Sequence, residues 1–409
     1  MPASLGGFNT KLMNTKVTKS PVIPHSKVKN KKEFVPILDN IAQLPTDTLE
    51  SLSKRARSKF YTQKIVTPLL YFQSPLHKTY ERTFHCGSQI TQKGKKLISK
   101  YCNGRLCHVC NRIRTAKMMG GYIEPLKQLG KLYFTTLTIK NVSAEELHET
   151  INKMLKDMAN IIRVLREKRK IEISGIRKIE ITYNAKANTY HPHFHLLHNT
   201  DSGDMIIDEW IIRNPTSAKK MGWDTRLKKM VPIQLSIPVT KENDDDKKYL
   251  NELFKYASKF VVKDDKERGI LNVYVPALDN IMRSLHTKRT MQCFGKIRKI
   301  KSVEDLSEIN ELLSQEIENI QYANKEWNWD GIKVFDWIDY DGNRLTNYKP
   351  PDGLTFQYFI GDSAPYTEIE KKRIARQEKI MEEKHKKRNE WFTLLKETKF
   401  YNGLDKNLN

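Results

Sequence analysis

The clearest hydrophobic pattern in the chain lies between residues 131 and 198. Residues 131–140, 173–184 and 189–198 alternate apolar with polar positions and are rich in β-branched and aromatic residues, which predicts three strands. Between the first two strands, apolar residues recur at helical spacing from Leu147 to Leu165, through Ile151, Leu155, Met158 and Ile162. This spacing predicts a helix that begins at a Ser143–Glu146 capping box and ends near Lys170. The short link 185–188 makes the second and third strands an antiparallel hairpin.

Weaker patterns extend this arrangement. A fourth strand is predicted at 231–239, and an acidic turn and a helix at about 246–262 follow it. We therefore expect an α+β fold, with an antiparallel sheet that carries helices on one face. Further helices are predicted at 47–64, 303–324 and 367–398, whereas 330–362 is rich in Trp, Tyr, Asp and Gly.

These patterns divide the chain into four parts. Residues 1–47 form a basic mobile arm, and 48–130 form an N-terminal region with a cysteine-rich module at 84–115. Residues 131–300 form the core domain, and 301–409 form a mainly helical extension of unassigned role. The alternative for the arm is a solvated tail with no binding role.

The charge of the chain predicts a polyanionic partner. Lys and Arg number 72 against 48 Asp and Glu in 409 residues, which gives a formal charge of +24. Nucleic acid is the first candidate, although charge does not distinguish binding from cutting or copying. No apolar run reaches the ~18 residues of a membrane span, and the first residues lack the apolar segment of a signal peptide. We therefore expect a cytoplasmic protein without a membrane partner.

Four of the five cysteines have the spacing of a metal site. Cys86 is followed by a cluster with the pattern C-x4-C-x2-C, which consists of Cys102, Cys107 and Cys110. Four thiolates in two pairs suit tetrahedral structural Zn²⁺, with His85 or His108 as an alternative ligand. Buried free thiols are the other interpretation, but they do not explain the spacing. The fifth cysteine, Cys293, is predicted to be an ordinary buried thiol.

The flanks of the cysteine module are basic. Arg112 and Arg114 are the residues that we expect to contact DNA there.

Three histidines alternate along the third predicted strand. His191, His193 and His195 therefore project from one face, and Glu180 lies across the hairpin. Such residues can share one metal ion and leave coordination positions open, as in catalytic sites. The ligand set does not choose between Mg²⁺, Mn²⁺ and a transition metal, and a lone histidine would more often be structural. The ion would polarise a phosphodiester.

The helix predicted at 246–262 carries a tyrosine among charged residues. Glu252 and Tyr256 are four residues apart and hence adjacent on the helix, with Lys255 and Lys259 nearby. A phenol has a pKa near 10 and needs a polarised phosphate or nearby cations to act as a nucleophile, and a carboxylate can activate water. The alternative is an exposed tyrosine beside a surface Glu–Lys pair.

The order of these segments resembles a known family. FTTLTIKN (134–141), IEITYN with HPHFHLL (179–197), ELFKYASK (252–259) and KRTMQCFGKIRK (288–299) resemble the rolling-circle replication initiators (Rep) of small bacterial plasmids. These proteins belong to the HUH endonuclease superfamily. The resemblance covers about residues 48–300 and includes the cysteine module before the first motif.

The resemblance implies a site-specific nickase. His193 and His195 match its metal-binding pair, with Glu180 at the position of a third ligand. Tyr256 matches the nucleophile that stays joined to the 5′ phosphate as a phosphotyrosine and leaves a 3′-OH primer. Glu252 matches the carboxylate that helps water to terminate a round.

The resemblance also implies contacts with DNA and host proteins. Thr136 and Thr138 would line the groove for single-stranded origin DNA. A host polymerase would extend the primer. The C-terminal extension 301–409 is not covered by the resemblance, and origin recognition, dimerisation and a helicase contact are its candidate roles.

Two alternatives remain open at this point. One is an HUH transposase, although Tyr249 precedes Tyr256 by seven residues rather than the four typical of two-tyrosine enzymes. The other is a zinc-containing DNA-binding regulator in which Tyr256 is inert.

Overall fold

The computed structural model describes residues 46–93, 96–217, 221–224, 229–232, 234–239, 253, 262–265, 269–299, 325–361, 366–380, 382, 383 and 386. Its helices are α1 (Thr46–Leu70), α2 (His77–Phe84), α3 (His108–Lys127), α4 (Ala144–Glu167), α5 (Gly203–Arg213) and α6 (Val275–Leu285). The first seven strands are β1 (Gln89–Lys93), β2 (Lys96–Ser99), β3 (Leu132–Thr138), β4 (Gly175–Asn184), β5 (Thr189–His198), β6 (Met221–Asp224) and β7 (Lys229–Pro232). The other strands are β8 (Leu235–Val239), β9 (Val262–Asp265), β10 (Ile270–Tyr274), β11 (Met291–Phe294), β12 (Glu326–Asp330), β13 (Asp336–Ile338) and β14 (Thr355–Phe359).

A five-stranded antiparallel sheet forms the centre, in the order β11-β4-β5-β3-β8. The predicted strands 131–140, 173–184 and 189–198 and their hairpin are confirmed as β3, β4 and β5. The predicted fourth strand 231–239 is wrong as one element. Only Leu235–Val239 pairs with β3, whereas Lys229–Pro232 pairs with β6 in a separate ribbon. Gln234 lies at a bend between the two.

The two faces of this sheet carry different chemistry. Thr136, His195 and Lys178 lie opposite one another in adjacent strands, and so do Thr138, His193 and Glu180. Because side chains alternate along a strand, all six lie on one side, which we call the histidine face. The other side, the helix face, includes Leu137, Ile179 and Phe194, which pack in one core with residues of α4 and α5.

Helix α4 confirms the capping box but presents a different stripe from the predicted one. Ser143 and Glu146 exchange the two expected hydrogen bonds. Met154 and Ile161 lie at the buried centre, whereas Leu155 and Ile162 are only partly buried at its edge. The buried stripe is rotated about the helix axis relative to the predicted one. Apolar residues occupy two neighbouring faces of α4, and packing against the sheet determines which of these faces is buried.

The prediction of helices on one face alone is wrong. Helix α3 contributes Leu126 to an apolar cluster that includes Phe134, Ile176 and Leu197 of the histidine side. Leu253, fully buried, belongs to the same cluster.

A second core joins distant parts of the chain. Helix α1 packs against β1, β2, β12 and β13 through a cluster that includes Phe60, Ile90 and Trp337. Strand β12 pairs with β1, and β14 pairs in parallel with β10. Residues 325–361, where the sequence pattern predicts no helix, carry three strands. Residues 368–380 are helical as predicted.

Some predictions fall outside the described residues. These are the arm up to residue 45, the helix 303–324, and the helix 246–262 apart from Leu253 and Val262. The predicted helix 47–64 is longer in the structure and ends at Leu70. Within the described part of the chain, no helix combines the length and apolar character needed to cross a membrane.

Candidate active site and thiolate cluster

Glu180, His193 and His195 converge on the histidine face. Oε2 of Glu180 lies 3.7 Å from Nε2 of His193 and 3.8 Å from Nε2 of His195. Each residue offers one ligand atom, and these atoms lie within 4.8 Å of one another. Ligands bound to one ion at ~2.1 Å are separated by roughly 3 to 3.5 Å, so only a small contraction would bring all three onto one ion.

Hydrogen bonds hold both imidazoles with Nε2 towards Glu180. Nδ1–H of His193 donates to the carbonyl of His191 at 3.1 Å, so its Nε2 carries the lone pair. Oγ1 of Thr136 lies 3.3 Å from Nδ1 of His195, where it can accept that proton. Such contacts orient metal-ligating histidines in proteins. The arrangement therefore fits a divalent ion.

Lys178 is a member of this site that the sequence reasoning missed. Its ammonium contacts Oε1 of Glu180, and its side chain is only 6% exposed. Burial raises the pKa of Glu180, but His193, Lys178 and His195 together outweigh it and hold that pKa at about 2. The position of Lys178 two residues before Glu180 on the same strand was the available signal.

Two predicted site residues have other surroundings. The His191 ring stacks on His193 with 5.0 Å between centroids, and His191 is not in the group of converging ligand atoms. Thr138 is 1% exposed, and both its amide and its hydroxyl donate to Oε1 of Gln234. Thr138 therefore does not line an open groove here, because the polar side chain at the bend before β8 covers it.

The four predicted cysteine ligands come together at the start of α3. The Sγ atoms of Cys86, Cys102, Cys107 and Cys110 lie within 4.8 Å of one another, and two of the separations are 3.5 and 3.7 Å. Tetrahedral Zn²⁺ with Zn–S bonds of 2.3 Å sets sulfurs about 3.8 Å apart. His85 and His108 are outside this group of described residues.

Donors surround the sulfurs, as a thiolate cluster requires. Backbone N–H groups of Cys102, Gly104 and Cys110 point at sulfur atoms at 3.2–3.4 Å. The buried ammonium of Lys59 donates to the carbonyl of Phe84 at 2.6 Å, beside the cluster. Burial lowers the pKa of Lys59 to about 8, while the four cysteines favour its charged form. The donor set fits a structural zinc ion.

The two arginines that are predicted to contact DNA near the cysteines have different surroundings. Arg112 is exposed on α3. Arg114 donates to Oδ1 of Asn111 at 2.9 Å and to the carbonyl of Asn103 at 2.6 Å, so it braces the cysteine loop.

Glu252, Lys255, Tyr256 and Lys259, together with Tyr249, lie outside the described residues. Leu253 is the described residue of that segment.

Comparison with known proteins gives a consistent result. A family model described as a replication protein, Rep_1, matches residues 94–337. A "Replication protein" of Staphylococcus aureus is 27% identical over 242 residues, 54% of this chain and 97% of the relative. The "Protein rep" of Bacillus amyloliquefaciens is 27% identical over 168 residues, 38% of this chain and 45% of the relative.

Coverage is smaller for another relative. The "Protein rep" of Streptococcus pneumoniae is 35% identical over 103 residues, 24% of this chain. The chain thus spans about a third of this relative and just under half of the Bacillus protein. No solved structure matches the chain. Because the family match covers more than half of its length, the chain belongs to the Rep_1 family of replication proteins.

Proposed function

We propose that this protein initiates rolling-circle replication of a plasmid by nicking one strand of the origin. The observation that supports this most directly is the convergence of Glu180, His193 and His195 on one site. Two imidazoles and one carboxylate leave positions for a substrate oxygen, which is the arrangement of catalytic centres.

These three residues would hold one divalent ion, Mg²⁺ or Mn²⁺, which would polarise the scissile phosphodiester. Lys178 forms an ion pair with Glu180 and offsets its negative charge. Thr136 keeps the ring of His195 in its orientation.

Tyr256 is the proposed nucleophile. The support from this segment is Leu253, three residues before Tyr256 in the sequence. Leu253 is buried in the cluster with Phe134, which precedes Thr136 by two residues on β3 and lies on the same side of the sheet. The Tyr256 hydroxyl would lose its proton to water, and its oxygen would attack phosphorus. The P–O3′ bond would break, and the 3′ oxygen would take a proton from water and leave as a hydroxyl. A 5′-phosphotyrosine and a primer for a host polymerase would result, with Lys255 and Lys259 favouring the anionic nucleophile.

Glu252 would act later. It would activate the water that resolves the last strand and ends a round. A zinc ion in the cysteine cluster would be structural, because four thiolates leave no open position.

The test uses supercoiled DNA that carries the gene with its flanks, Mg²⁺ or Mn²⁺, and a denaturing gel. Wild-type protein should form a covalent adduct that Tyr256→Phe does not form, and Glu252→Ala should nick but release product poorly. His193→Ala and His195→Ala should abolish cleavage and retain duplex binding. His191→Ala is the matched control on the same strand and should retain cleavage.

Each other result has a defined meaning. Specific binding without an adduct from wild-type protein favours the regulator. An adduct at terminal hairpins rather than at a replication origin favours the transposase. Equal loss of binding and cleavage in the histidine variants would mean that these residues maintain the fold.

A further inference from the structure

A cavity of about 430 Å³ lies on the helix face of the central sheet, between α4 and the strands β4 and β11. Its apolar lining includes Leu155, Ile162 and Phe294, and its polar lining comprises Arg163, Arg166, Arg177 and Gln292. Leu155 and Ile162 belong to the predicted apolar stripe of α4, but they lie at the edge of the core in the structure.

Arg177 is the most constrained of these residues. It is only 7% exposed, and its guanidinium carbon lies 5.4 Å from the centroid of the Phe194 ring. Nη2 donates to Oε1 of Gln292 at 2.6 Å, but the buried Nη1 has no hydrogen-bond partner among the described residues. A buried charged donor without a partner is costly, and an anion in the cavity would remove that cost.

Two further guanidinium groups line the same cavity. Arg163 and Arg166 are three residues apart on α4 and therefore lie side by side on the helix. Arg166 also makes a 3.0 Å ion pair with Glu167, in which both side chains are more than half exposed. The described residues that line the cavity include no carboxylate. Charge of one sign is thus concentrated around an apolar space.

We propose that this cavity is a phosphate-binding site, in which Arg177, Arg163 and Arg166 hold a phosphate group while the apolar wall contacts the rest of the ligand. Arginine forks match phosphate oxygens in geometry and charge. The volume is in the range of small-ligand sites, which suits a nucleotide unit. The phosphate could come from a free nucleotide or from a DNA strand.

This site is separate from the histidine face. Arg177 lies opposite Leu196 in the sheet, and Leu196 is in the core with α4 and α5. Its side chain is therefore on the other side from Lys178 and Glu180.

The experiment compares full-length wild type with Arg163→Gln, Arg166→Gln and Arg177→Lys. Lys168→Gln is the matched control, since Lys168 is exposed at the end of the same helix and does not line the cavity. Calorimetry and thermal shift would measure the binding of pyrophosphate, dAMP and a single-stranded oligonucleotide to each protein. Sodium chloride at the same ionic strength serves as the control for non-specific salt effects. Lysine is chosen at position 177 because it keeps a positive charge at this buried position, which limits the loss of stability that a neutral replacement would cause.

We expect saturable binding to wild type that is about tenfold weaker or more in the cavity variants and unchanged in Lys168→Gln. Weakening confined to pyrophosphate and dAMP identifies a free ligand, and weakening confined to the oligonucleotide identifies DNA phosphate. Binding that is absent for all three probes, or equal in the cavity variants and Lys168→Gln, would overturn the proposal. Neither result depends on whether the protein nicks DNA.

Discussion

At the scale of single residues, burial decides the protonation state of several histidines. His198 is fully buried beneath the sheet end, and its Nε2 lies 2.7 Å from Oγ1 of Thr135. Burial lowers the pKa of His198 to about 4, chiefly because the charged ring would lose its hydration. His108, His148 and His286 have pKa values lowered to about 4, also chiefly by burial.

We expect these histidines to make the fold sensitive to acid. A histidine with a folded pKa below its unfolded value of 6.5 contributes stability that is present above pH 6.5 and lost as the pH falls towards 4. For the fully buried His198 the loss is at most about 3 kcal/mol. Unfolding in urea at pH 7, 6, 5 and 4 should show this decline, and His198→Gln should decline less steeply. An equal decline in both proteins would show that folding does not lower the pKa of His198.

Thr136 is the residue that orients His195, and this too can be tested. Thr136→Val keeps the shape of the side chain but removes the oxygen 3.3 Å from Nδ1 of His195. We expect about 10- to 100-fold weaker Mn²⁺ binding, as is typical when such a partner is lost. Thr182→Val, at an exposed position of β4 on the same side of the sheet, should bind Mn²⁺ as wild type does. Equal affinities in the two variants would remove Thr136 from the site.

At the scale of elements, α4 contributes both to the core on the helix face and to the phosphate cavity. Its N-terminus is held by the Ser143–Glu146 capping box, and its buried stripe covers the helix face. Its C-terminal half contributes Arg163 and Arg166 to the phosphate cavity.

Ser143→Ala should weaken this helix. Loss of an N-cap hydroxyl costs about 1 kcal/mol, because an N–H group at the first turn loses its partner. The free energy of unfolding in urea measures the change, with Lys156→Ala, exposed in the middle of α4, as a control that should stay within ~0.5 kcal/mol of wild type. A Ser143→Ala variant as stable as the control would mean that the cap contributes nothing.

At the scale of the whole molecule, the cysteine cluster lies where three parts of the chain meet. Lys59 of α1 donates to Phe84 just before Cys86, and Nε1 of Trp337 donates to the carbonyl of Gly87 just after it. Arg105 donates to the carbonyls of Leu285 and Lys288 at the end of α6. A metal ion in the cluster would therefore stabilise contacts well beyond residues 84–115.

Removal of the proposed zinc should accordingly affect the whole fold. We expect Cys107→Ser to lose bound zinc and to unfold at a temperature lower by about 5 °C or more, because metal binding is coupled to folding. Cys293→Ser is the matched control, since Cys293 is outside the cluster and should retain both the zinc content and the melting temperature. A zinc-free Cys107→Ser protein with unchanged melting would refute the ligand assignment.

The local sequence determined the elements whose pattern is strong and whose partners are close in the chain. The hairpin of β4 and β5, the capping box and the alternation of His193 with His195 follow from the spacing of neighbouring residues. Glu180 follows as well, because a short link fixes the register across the hairpin. The grouping of the four cysteines follows from their spacing and from the chemistry of thiolates.

Only the tertiary structure decided which surfaces meet. The pairing of β1 with β12 joins Gln89 to Asn328, and no local pattern encodes a contact across that distance. Which face of α4 is buried depended on packing against the sheet, because two neighbouring faces of this helix carry apolar residues. Lys178 and Arg177 are neighbours in the sequence, yet one contacts Glu180 and the other lines the phosphate cavity. Alternation places them on opposite faces, but the helices and strands that cover each face give each charge its role.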